Sequence, residues 1–166
     1  MVTLYLVCDT SGSMTEGSKC MLMRGVVRAV EQYIRLGYGA ARLQLVSWNE
    51  TAQLVDWNSD DEYPIEMVSC HGSNAVAPLC NLLGRTPAGR VLLITDGFWS
   101  IEEARVLKRW RRGLDPDGLR IIKVGGDVNL QLKGEGVFVP DDIFSVLDGW
   151  LGNAAETVPA DSEDEW

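Results

Sequence analysis

Apolar and polar positions along this chain follow two rhythms. Residues 2–8 (Val2-Thr3-Leu4-Tyr5-Leu6-Val7-Cys8) and residues 90–95, with Val91-Leu92-Leu93-Ile94, are nearly unbroken apolar runs of strand length. Such runs suit strands buried on both faces of a parallel sheet. Residues 119–124 and the shorter 137–139 repeat the pattern. Between them the period becomes helical. Over 18–36, Leu22, Val26, Ala29, Val30, Tyr33 and Ile34 form one stripe, Arg24, Arg28, Glu31, Gln32 and Arg35 the opposite one, and Gly37 and Gly39 end the segment. Residues 42–48 and 51–57 read as two strands separated only by Asn49 and Glu50, too short a link for a parallel crossover, so a hairpin is expected. Residues 58–74 read as loop and 77–83 as a short helix with Pro78 in its first turn. Ser100-Ile101-Glu102-Glu103 is a capping box opening a helix that ends before Gly113, and Ile101, Ala104, Leu107 and Trp110 are its expected inner side. Residues 141–151 form a last helix with Ile143, Val146, Leu147, Trp150 and Leu151 inward.

Strands alternating with helices predict one α/β domain over residues 1–152, a three-layer α-β-α Rossmann-like arrangement with a mostly parallel central sheet and one antiparallel edge strand. With 166 residues the chain can bury a single sizeable core. Fifteen Lys and Arg face 24 Asp and Glu, a net charge of −9, which disfavours nucleic acid as a partner. Five of the acids (Glu156, Asp161, Glu163, Asp164, Glu165) lie in the last fourteen residues, so 153–166 reads as an acidic, disordered tail. Its carboxylates could alternatively occupy a neighbouring molecule's site. No charged segment precedes an apolar one at the start, and no apolar run has the length needed to span a bilayer. Cys8, Cys20, Cys70 and Cys80 have no short paired spacing, so reduced thiols are expected, with a disulfide or zinc site as the alternative. These features predict a cytoplasmic protein without a membrane contact.

In an open parallel sheet, ligands bind beyond the carboxyl ends of the strands. Asp9-Thr10-Ser11-Gly12-Ser13-Met14 follows the first strand and Asp96-Gly97 follows the run at 90–95, while His71-Gly72-Ser73-Asn74 precedes the short helix. Two carboxylates and three hydroxyls at one edge suit a hard cation, and Mg²⁺ best, with Mn²⁺ or Ca²⁺ admitted by the same donors. Alternate side chains of Asp9, Ser11 and Ser13 can face one ion, and Gly12 is expected to permit the turn. A capped turn is the plainer explanation of the same residues. Arg105, Lys108, Arg109, Arg111 and Arg112 read as a solvated helix face, with a docking patch for an acidic partner as the alternative.

The hexapeptide Asp9–Met14 together with Asp96 resembles the metal-ion-dependent adhesion site of the von Willebrand factor type A domain. The resemblance covers roughly residues 1–151, and it implies metal ligation by Asp9, Ser11, Ser13, Ser73 and Asp96. Ser73 stands where the family has Thr, and His71 where a small residue is common. It also implies a sixth position left to a protein partner's Asp, Glu or C-terminal carboxylate. His71, Asn74 and Trp99 are the expected partner-contact residues. Stand-alone microbial members of the family are similar in size and often work as adaptors beside AAA-type ATPases of the MoxR class or in stress and conflict systems. A binding module rather than an enzyme is thus expected. The alternatives are a Mg²⁺-dependent phosphoryl-transfer enzyme on a similar fold, which would want a second carboxylate where Ser11 stands or a phosphate loop, and a metal-free scaffold.

Overall fold

The computed structural model describes residues 1–85, 87, 89–125 and 134–151. The acidic tail lies outside them. A six-stranded sheet runs in the order β3-β2-β1-β4-β5-β6. Its strands are β1 (Val2–Asp9), β2 (Ala41–Trp48), β3 (Ala52–Val55), β4 (Gly89–Thr95), β5 (Leu119–Lys123) and β6 (Val137–Phe138). All neighbours are parallel except β2 and β3, which pair as the expected hairpin with Trp48 opposite Ala52. The helices are α1 (Lys19–Arg35), α2 (Val76–Leu83), α3 (Ile101–Gly113) and α4 (Ile143–Leu147).

Strand alternation divides the core between the two faces. Leu4, Leu6, Cys8, Leu92, Ile94 and Ile122 pack with α1 and α4, while Val7, Val91, Leu93 and Ile121 pack with α2 and α3. Because both faces are covered, β4 reads as Val91-Leu92-Leu93-Ile94 with no polar interruption, and all four are fully buried. The expected three-layer architecture is the observed one.

Five local expectations are corrected. The buried stripe of α1 is Lys19, Met23, Val26, Val27, Val30 and Tyr33, so Leu22 points outward. The second arm of the hairpin stops at Val55, leaving residues 56 and 57 outside the sheet. In the loop that follows, a single 3-10 turn at Ile65–Met67 buries Met67 completely. In α3, Leu107 and Trp110 are buried but Ile101 is exposed. The last helix is split into a 3-10 turn at Pro140–Asp142 and α4, yet its five expected inward residues are all buried. Among the described residues, no helix is long and apolar enough to cross a membrane.

Candidate metal centre

β1 and β4 are hydrogen-bonded neighbours with Cys8 level with Ile94, so the residues following them emerge side by side at the carboxyl edge. Asp9 and Asp96 both have no exposed surface, and Ser11 is 2% exposed. Every oxygen of Asp9 is engaged. Its Oδ1 accepts from the Ser11 amide (2.9 Å) and from Asn74 Nδ2 (3.1 Å), and its Oδ2 accepts from Thr95 Oγ1 (2.6 Å). Burial pushes the Asp9 carboxyl above its ordinary range, and the hydrogen bonds from Thr95, Ser11 and Asn74 oppose that shift. This carboxylate therefore acts as a braced foundation below the hydroxyls.

The hydroxyls of Ser11 and Ser13 stand 3.3 Å apart. Two neighbouring ligands of an octahedral ion with bonds near 2.1 Å lie about 3 Å apart, so this pair fits a small divalent cation. Asn74 Oδ1 is a buried acceptor with no donor among the described residues, of the kind a metal-bound water can satisfy. Among the described residues, no cluster of three or more His, Cys, Asp and Glu is placed to hold a metal. The side chains gathered here are hydroxyls and two carboxylates, a donor set that suits a hard cation.

Backbone bonds bring the second loop alongside. The His71 amide donates to the Thr10 carbonyl (2.9 Å), and the Gly12 amide donates to the Gly72 carbonyl (2.8 Å). Gly12 opens the expected turn, over Gly12–Thr15, without a left-handed conformation. A Cβ there would lie 3.4 Å from the Gly72 carbonyl oxygen, at the edge of ordinary van der Waals contact. Gly72 is the left-handed residue, with φ of 72°. Ser73 is exposed on this loop.

The three expected contact residues separate. His71 is exposed and lines a groove of about 320 Å³ with Thr10, Ser47, Asn49, Gln53 and Glu66. Asn74 is 4% exposed, and its Nδ2 donates to Asp9 Oδ1. Trp99 is half-buried, its ring centroid 5.7 Å from that of Trp48, and the exposed aromatic beside the site is Phe98.

Lys19 was not anticipated. It is 2% exposed, and its Nζ lies 3.1 Å from Asp96 Oδ2, 3.3 Å from the Ser13 carbonyl and 5.0 Å from the Phe98 ring centroid. The other Asp96 oxygen accepts from the Phe98 amide. A buried cation on the first residue of a helix bears a desolvation penalty and faces the positive end of the helix dipole. Its position is traceable in the sequence: Lys19 continues the buried stripe of α1 four residues, about one turn, before Met23, where an apolar residue belongs.

Several solved structures share this fold. Proximal thread matrix protein 1 from the mussel byssus, with a zinc-occupied MIDAS motif, is 18% identical over 88% of this chain and 44% of its own, with a TM-score of 0.56. The manganese-loaded TRAP protein of Plasmodium vivax is 16% identical over 92% and 74%, with a TM-score of 0.53. The conserved hypothetical protein BatB of Bacteroides thetaiotaomicron is 16% identical over 89% and 85%, with a TM-score of 0.52. This chain spans less than half of the mussel protein's length. No protein-family model and no curated protein sequence matches the chain.

Proposed function

We propose that this chain, a von Willebrand factor type A-type domain by its fold, is a binding module. It captures an Asp, a Glu or a C-terminal carboxylate of a protein partner through a divalent cation. Ser11, Ser13 and Ser73 supply hydroxyls, Asp9 and Asp96 supply negative charge from below, and Mg²⁺ is the proposed ion. A bound cation there would supply an open coordination position for an anionic oxygen from outside.

The observation that carries this is the state of Asp9 and Asp96. Both are completely buried at adjacent strand ends, and both spend oxygens on protein donors. Of the hydroxyls above them, Ser11 is buried, Ser13 half-buried and Ser73 exposed, so Ser13 and Ser73 form the accessible rim. The charge balance favours an anion as well. Lys19 offsets one of the two carboxylates, so a dication keeps net positive charge and attracts an external carboxylate. The groove beside His71 and the exposed Phe98 flank that position and would read the partner's neighbouring residues.

The proposed role ends at coordination, with no bond made or broken. An AAA-type ATPase of the MoxR class is the partner that the family resemblance suggests, in a cytoplasmic setting. The test is titration calorimetry with Mg²⁺ and Mn²⁺, followed by affinity capture from native lysate with and without EDTA, each with wild type and Asp9→Ala. We expect one metal site and a set of proteins whose retention is lost with EDTA and with the variant. Capture insensitive to both would overturn the proposal.

A further inference from the structure

Cys20 and Cys70 come from chain segments fifty residues apart and meet beneath the two loops that form the site. Their Sγ atoms are 3.6 Å apart. Both side chains are partly exposed, whereas Cys8 is fully buried. Cys80 packs on the opposite side of the sheet and cannot join them. Cys20 lies in the first turn of α1, with its thiol 3.1 Å from the Met14 carbonyl, directly after the loop of Ser11 and Ser13. Cys70 immediately precedes His71-Gly72-Ser73-Asn74.

We infer that Cys20 and Cys70 are a disulfide-forming pair that, on oxidation by a peroxide, fastens the Ser73-bearing loop to α1. The inference stands on the thiol geometry and does not need the metal. A disulfide requires the sulfurs to close to about 2.05 Å, roughly 1.5 Å nearer than they stand. Residue 70 sits in irregular backbone, outside any strand or α-helix, so a side-chain rotation with a small backbone shift can supply that movement.

The chemistry balances in two steps. A peroxide first oxidises the Cys20 thiol to a sulfenic acid and leaves as water. The Cys70 sulfur then attacks Cys20 Sγ, expelling the sulfenic oxygen as a second water that carries away the Cys70 proton. Two electrons pass from the thiol pair to the peroxide. Burial and the neighbouring Cys20 thiol push the Cys70 thiol up to about 12. The cross-link would add a covalent tie to the two backbone bonds, His71 to Thr10 and Gly12 to Gly72, that already join the loops.

The test treats the folded full-length protein with hydrogen peroxide, alkylates the remaining thiols and maps the peptides without reduction. The expected product is one intramolecular Cys20–Cys70 peptide, abolished by dithiothreitol. With it the thermal midpoint should rise by roughly 5–10 °C, because the bridge closes a long loop in the unfolded chain. Cys80→Ser should retain the product and Cys70→Ser should lose it. If Cys70→Ser fails to fold, the wild-type map decides alone. Recovery of Cys20 and Cys70 as alkylated thiols or as sulfinic acids, or pairing with Cys80 or between molecules, would overturn the inference.

Discussion

At the scale of single residues, strand ends set the positions of the site's acids and first hydroxyls. An Asp directly after an apolar run must emerge at the sheet's carboxyl edge, and Asp9 and Asp96 do so. Ser11 and Ser13 are carried there by the same loop. Thr95 and Asn74 were not legible as supports of Asp9. Their role depends on which strands are neighbours, and a hydrogen bond across 86 or 65 residues leaves no local signal. Gly89 illustrates the same dependence. A Cβ there would stand 2.0 Å from the Thr3 carbonyl oxygen of β1, a backbone atom that cannot move aside cheaply. Gly89→Ala should cost about 3 kcal/mol by urea unfolding. Gly113→Ala, at a position with nothing within 4 Å, should change stability by less than about 1 kcal/mol.

Among the elements, period and punctuation located the strands and α-helices of the described residues, while facing and capping needed the tertiary structure. The stripe of α1 was displaced by about one position, because a charged Lys19 in the inward row hid its beginning. The capping box at Ser100 is only half realised. Ser100 Oγ accepts from the Glu103 amide, but the Glu103 carboxylate accepts instead from the Val76 amide at 2.7 Å. It thereby caps α2, whose own N-cap residue, Ala75, has no side-chain acceptor. A motif read within one helix thus serves its neighbour, which sequence spacing could not reveal. Glu103→Ala should therefore destabilise the protein by about 1–2 kcal/mol. Amide exchange should accelerate at the start of α2 more than at the start of α3. Equal acceleration at both helices would contradict the cross-cap.

For the molecule as a whole, the order β3-β2-β1-β4-β5-β6 puts β1 and β4 at the centre, so ligation at their ends engages the most deeply packed strands. A cation bound only by the folded state stabilises all of it by mass action, about 2.7 kcal/mol at a hundredfold excess over Kd. Lys19 sets the size of that response. Lys19→Met removes the ammonium paired with buried Asp96, and the metal-free protein should lose about 3 kcal/mol. The rise in thermal midpoint on adding Mg²⁺ should be larger than in wild type, because the ion then answers a carboxylate left without that ammonium. A smaller rise would show that Lys19 assists metal binding instead of opposing it. The Trp48–Trp99 stack gives this architecture a built-in optical gauge. The two indoles are tilted by 55° at the foot of the Asp96 loop, close enough for their excited states to couple. Displacement of that loop by an incoming ligand would change the near-ultraviolet circular dichroism of the unlabelled protein, so occupancy can be followed before any binding partner is in hand.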